Sequence, residues 1–76
     1  MSKRLSEYIS IIHRAEEGGY WSEVPVLEAC FSQGETIEET LDHTREAIES
    51  HLIALRSEGR KIPKEDILIF SKIKAA

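Results

Sequence analysis

CFSQGETIEETLDHTREAIES, residues 30–50, decides the fold. Gly34 supplies a turn, and Thr36-Ile37-Glu38-Glu39 follows it as a capping box. In such a box the threonine hydroxyl accepts the backbone N–H three residues on, and the glutamate there reaches back to the threonine amide. A helix therefore begins at Thr36. It runs to about Glu58, where Gly59 suits the left-handed position past a helix end and Arg60, Lys61 and Pro63 complete the stop. At 1.5 Å per residue its length is roughly 33 Å, enough to cross a small sheet.

Two stripes follow from the helical period. Ile37, Leu41, Thr44, Ile48, Leu52 and Leu55 recur at three- and four-residue spacings and are expected to face the core. Glu35, Glu38, Glu39, Asp42, Glu46 and Glu49 fall away from that face. The early acids also complement the positive end of the helix dipole. Ile53 lies on the acidic side, the one aliphatic that the core does not claim.

Outward from the helix, the rest reads as sheet. Tyr8–Arg14 and Gly19–Val24 are rich in β-branched and aromatic residues, and the AEEGG between them marks a hairpin turn. Pro25 cannot donate to a ladder, so the second strand ends there. Ala29–Gln33 suggests a short third strand and Asp66–Ile73 (DILIFSKI) a last one, while residues 1–6 read as a basic lead-in. The expected fold is α+β, with one long helix on an antiparallel sheet of three or four strands in the order ββ(β)αβ. Residues 1–76 read as a single domain, with no repeats.

Composition narrows the function classes. A chain of 76 residues buries only ~60–65% of its unfolded surface, so its stability margin is thin. Chains this small usually need a disulfide, a metal or association. The single cysteine, Cys30, cannot form an intramolecular disulfide, and the three histidines have no zinc-site spacing. Association remains, and a homodimer or higher even oligomer is expected, through sheet edges or the hairpin at Tyr20 and Trp21. The net charge of −4 argues against direct DNA or RNA binding and favours a neutral or basic protein partner. No apolar run of 18 residues and no signal-peptide core is present, which points to a soluble cytoplasmic protein with no membrane role.

Catalytic and cofactor chemistry finds no foothold. Cys30 has the character of a small buried thiol, and His13, His43 and His51 lie apart on structural or solvated positions. Carboxylates in line along one exposed helix do not converge as a metal cage requires. Gly18-Gly19 and Gly34 are turn formers rather than a phosphate loop, and the cluster GRKIPK complements the helix C-terminus. No catalytic residue, metal or cofactor is therefore assigned.

The ordered motifs GGY, VP-x-L, C-x-S-Q-G-E-T-x-E-E and G-x-x-I-P, spread from Tyr8 to about Pro63, resemble the HicB-type antitoxin family. The resemblance implies a partial ribonuclease-H-like fold. It also implies the neutralisation of a HicA-type toxin, a small basic ribonuclease whose RNA-binding surface the antitoxin masks. Two departures stand out. Where the family commonly reads VPDLPGC, this chain has Val24-Pro25-Val26-Leu27-Glu28-Ala29-Cys30, and the sequence stops at Ala76 without the DNA-binding extension of many members.

On this reading Asp42, Glu46 and Glu49 form the toxin-facing charge, with Ile53 as an apolar anchor and Tyr20 and Trp21 as further contact residues. As a residue pattern alone, the acidic stripe reads first as the solvated side of an amphipathic helix, and only the resemblance sets the two readings level. The reading from another class is an orphan HicB-like domain, an oligomeric scaffold or regulatory unit without a toxin.

Overall fold

The computed structural model describes residues 6–76, so most of the basic lead-in read over residues 1–6 lies outside the described residues. Three strands, β1 (Ile11–Arg14), β2 (Tyr20–Glu23) and β3 (Phe31–Gly34), precede one helix, α1 (Ile37–Ser57). The strands form an antiparallel sheet in the order β1-β2-β3, and α1 packs mainly on β3 and β2. This is the expected α+β arrangement.

The hairpin loop Glu16-Glu17-Gly18 is closed by two backbone bonds. Gly18 N donates to Ala15 O at 3.2 Å and Ala15 N to Gly19 O at 3.0 Å. Gly18 takes φ 104°, the positive value that a turn followed by a glycine bulge requires. This closure sets the register His13↔Trp21 and Ile12↔Ser22, and β3 continues it with Trp21↔Gln33 and Ser22↔Ser32.

The helix ends follow their local chemistry. The Thr36 hydroxyl accepts the Glu39 N–H at 3.0 Å, as the capping box requires. The Glu39 carboxylate reaches back one residue further than expected and takes the amide of Glu35 at 2.7 Å. At the other end Gly59 has φ 69°. Gly59 N donates to Arg56 O and Arg60 N to Leu55 O, the paired bonds of a Schellman motif.

Two expectations are corrected. The buried face of α1 is not centred on Ile37 and Leu41, which are 46% and 47% exposed. Thr44 and Leu55 are buried as expected and Ile48 and Leu52 pack on the core, but Thr40 and Ala47 take the places expected for Ile37 and Leu41. The face is turned by roughly 40° from the expected one, at about 100° per residue. The cause lies in β3: a Cβ on Gly34 would stand 2.8 Å from the Thr40 backbone nitrogen, so the first turns of the helix rest almost on the strand. Only short side chains fit between. The buried hydroxyls satisfy one another and the backbone: Thr40 Oγ1 donates to Thr36 O at 2.7 Å, Thr44 Oγ1 to Thr40 O at 2.6 Å, and Ser22 Oγ meets Thr44 Oγ1 at 2.6 Å.

The second correction concerns Asp66–Ile73. No strand forms there, and the described sheet has three strands rather than four. The three strands that do form are four residues each, shorter than the sequence pattern suggests, because pairing stops where the chain turns out of the sheet. The apolar core is accordingly small. Val24, Leu27 and Cys30 are buried under Tyr8, Val26, Ala47, Ile48 and Leu52.

The loop between β2 and β3 folds on itself through Val24 N to Cys30 O, Leu27 N to Val24 O and Cys30 N to Leu27 O. It holds Ala29 at φ 57°, a left-handed conformation that glycine adopts without penalty and alanine does not. Alanine therefore stands at a position whose geometry suits the glycine of the commoner family motif.

Candidate functional site

The side of α1 turned from the sheet carries the charge. Asp42, Glu46 and Glu49 are all exposed, and Ile53 among them is 63% exposed. They share this side because residues 42, 46, 49 and 53 repeat at four, three and four, the spacing of one helical face. Twenty-one helical residues with a capped start and a Schellman end hold that face rigid. Of its two cations, Arg56 stands in the last turn beyond Ile53, and Arg45 makes only a long contact with Asp42 at 3.4 Å, both side chains of that pair remaining mostly in water. Such a pair neutralises little of the surrounding field.

His43 borders the stripe. Its Nδ1 donates to Gln33 O on β3 at 2.7 Å. That bond first, and then the nearby Glu39, Glu46 and Asp42 carboxylates, hold its pKa above the ordinary histidine value, against a smaller opposing effect of burial. Protonation of His43 adds a positive charge at the margin of the acidic face, so the field of that face falls as the pH drops.

Tyr20 and Trp21 are half-buried neighbours in β2, and successive strand residues point to opposite faces. Tyr20 lies on the helix side. Trp21 lies on the open side of the sheet, stacked on His13 with ring centres 4.0 Å apart and with Phe31 tilted against it at 6.4 Å. His13 Nε2 also meets Glu23 Oε2 at 2.7 Å. The two sequence-selected aromatics therefore do not form one patch with each other or with the acidic stripe. The His13–Trp21–Phe31 strip was not anticipated as a unit. Its signal was the glycine turn, which sets His13 opposite Trp21, but Phe31 joins only once β3 is in register.

No catalytic constellation is assembled from these parts. Cys30 is buried and free, and burial pushes its thiol above the ordinary value, which suppresses the nucleophilic thiolate. Among the described residues no group of three or more His, Cys, Asp or Glu side chains converges as a metal site, and no helix is long and apolar enough to cross a membrane. The arrangement is suited to recognition by shape and charge.

Comparison with known proteins agrees with this character. Residues 8–73 match the model of the HicB-like antitoxin of bacterial toxin–antitoxin systems. The chain is 36% identical over 67 residues to a UPF0150 protein of Synechocystis sp., covering 88% of this chain and 85% of that one. It is 38% identical over 60 residues to a UPF0150 protein of Thermoplasma acidophilum, covering 79% and 87%. A second Synechocystis UPF0150 protein is 54% identical over 43 residues, covering 57% and 62%.

Proposed function

The chain belongs to the HicB-like antitoxin family of bacterial toxin–antitoxin systems, and on that premise we propose that it neutralises a small basic HicA-type ribonuclease by covering the toxin's RNA-binding surface. The observation that carries this reading is the outward side of α1, a rigid row of carboxylates with Ile53 exposed among them. A surface that binds RNA must offer cations to phosphates, and a row of fixed carboxylates competes for the same cations. The acids steer encounter, and Ile53 supplies the apolar contact that slows separation.

Inhibition on this reading is occlusion, with no bond made or broken by the antitoxin. Asp42, Glu46 and Glu49 lie over about two turns of helix, roughly 10 Å, comparable with the spacing of a few phosphates along one strand. Trp21 and Phe31, on the far side of the sheet, take no part in this contact.

The test is rescue. The product of a short basic reading frame beside this gene is expressed alone and with this chain, and growth and messenger RNA integrity are followed. Wild-type chain should restore both. A chain carrying Asp42→Lys, Glu46→Lys and Glu49→Lys should fold and fail to restore them. Full rescue by the folded triple variant would remove the acidic face from the mechanism.

A further inference from the structure

Among the described residues, the three most exposed large apolar side chains, Leu68, Ile73 and Ile69, lie in one short segment together with Phe70. Leu68, Ile69, Phe70 and Ile73 are 92%, 75%, 61% and 86% exposed. They belong to Asp66–Ile73, a segment with the composition of a strand buried on both faces, yet it joins no strand ladder among the described residues. The shape of the molecule reflects this. Its radius of gyration is 14.3 Å, where a compact chain of this length has about 11 Å. Its accessible surface is 6748 Å², where a compact 8.7 kDa protein exposes about 4,700 Å². The excess of roughly 2,000 Å² per chain, about 4,000 Å² for a pair, falls in the range that two chains bury in a large, permanent interface.

The root of the segment is fastened to its own chain. Tyr8 donates its hydroxyl to Pro63 O at 2.8 Å, and Ile9 N donates to Glu65 Oε2 at 2.7 Å, which fastens residues 63–65 beside the start of β1. The other Glu65 oxygen accepts the amides of Asp66 and Ile67 at 3.2 and 3.1 Å. Glu65 therefore ties the start of the segment to the chain just before β1 and occupies the segment's first two amides.

A vacancy of matching kind lies on the same molecule. The bond from Ala15 N to Gly19 O fixes the phase of the β1–β2 ladder, so Ile11 and His13 bond towards β2 while the N–H and C=O groups of Ile12 and Arg14 point outward. β1 is an edge strand. α1 sits towards the other edge, where His43 holds Gln33 O of β3, and this leaves Ile37 and Leu41 half-exposed on the flank of the helix nearer β1. Ile12, on the helix side of β1, borders the same uncovered strip.

We infer that Asp66–Ile73 of one copy adds as a strand to the β1 edge of a second copy, and that the exchange is reciprocal about a two-fold axis. The backbone of the segment takes the outward groups of Ile12 and Arg14, and its alternate side chains fill the strip beside Ile12, Ile37 and Leu41. Charge favours the exchange. Residues 60–76 hold five Lys or Arg against two acids, net +3, while residues 1–59 hold five against twelve, net −7. Each segment thus meets a body of opposite sign. The exchange also removes an open strand edge, which in a chain this small is otherwise free to aggregate. It does not depend on the toxin reading, since it uses neither the acidic stripe nor Ile53.

The test uses the full chain. Sedimentation equilibrium should give a dimer, and Ile69→Pro, which interrupts a ladder in mid-strand, should shift it to monomer with the helical circular dichroism retained. Isotope-filtered NOEs on a dimer mixed from labelled and unlabelled chains should connect residues 67–73 of one copy with residues 11–14 of the other. A monomeric wild type, a dimer that survives Ile69→Pro, or contacts between these segments seen only within one chain would each overturn the inference.

Discussion

Removing the Thr44 hydroxyl tests the helix–sheet contact at its centre. Thr44 has one hydroxyl proton and gives it to Thr40 O at 2.6 Å, so the proton in the 2.6 Å contact with Ser22 comes from Ser22. Thr44→Val keeps the shape and deletes the acceptor. Ser22, with no exposed surface, is then left with a donor that neither protein nor water can take. An unsatisfied buried donor costs about 1–3 kcal/mol. Ser22→Ala is the milder change, because Thr44 still donates to Thr40 O, and about 0.5–1 kcal/mol is expected. In the double variant no orphan remains, so its cost should fall below the sum of the two by about 1 kcal/mol. Urea unfolding followed by circular dichroism and Trp21 fluorescence measures all four proteins, and in a domain of this size 1 kcal/mol moves Tm by roughly 4–8 °C. Additive costs, or a Thr44→Val variant as stable as wild type, would refute the hydroxyl-lined contact.

Other expectations follow from the same geometry. Ala29→Gly should stabilise the fold by about 0.5–1 kcal/mol by relieving a left-handed alanine at φ 57°, measured as a shift in urea midpoint; a loss of stability would contradict that assignment. Leu55→Ala should cost about 2–4 kcal/mol, whereas Leu41→Ala, half-exposed within one chain, should cost about 1 kcal/mol in the monomeric Ile69→Pro background. Equal costs would return the buried face to the one that the sequence period suggests. His43 should titrate above about 6.5 in an NMR pH series. Because its folded pKa is raised, its stabilising contribution is complete below the unfolded value and is lost as pH rises through the folded one. His43 Cε1 shifts with a midpoint at or below the ordinary value would remove the Gln33 contact from the account.

The helix was legible because its limits are written in local chemistry. The capping box and Gly59 act through neighbours three to five residues away, and Gly18-Gly19 fixed the hairpin for the same reason. The orientation of the helix was not legible from periodicity alone. Ile37 and Leu41 outrank threonine on any hydrophobic scale, yet Gly34 and Ser22 bring the strand so close that Thr40 joins Thr44 in the contact and leaves them half-exposed. That choice depends on residues outside the helix. DILIFSKI has strand composition without a strand, because composition reports what a segment needs to bury and says nothing about which chain supplies the cover. For the acidic face the residues could be read directly, since Asp42, Glu46, Glu49 and Ile53 share one element. Tyr20 and Trp21 could not be read together, because adjacent strand positions face opposite ways.

The measurement that bears most directly on the proposed antitoxin role is the association rate with a basic HicA-type toxin, followed by stopped-flow fluorescence across a range of salt. For the wild-type chain the rate should fall steeply as ionic strength rises, because steering by Asp42, Glu46 and Glu49 is screened beyond about 8–10 Å. Reversal of the three acids to lysine should leave folding intact, lower the low-salt rate by about tenfold or more, and flatten its salt dependence. Ile53→Ala should leave the association rate alone and speed dissociation. A folded triple variant that associates at the wild-type rate, with the wild-type salt dependence, would contradict the account.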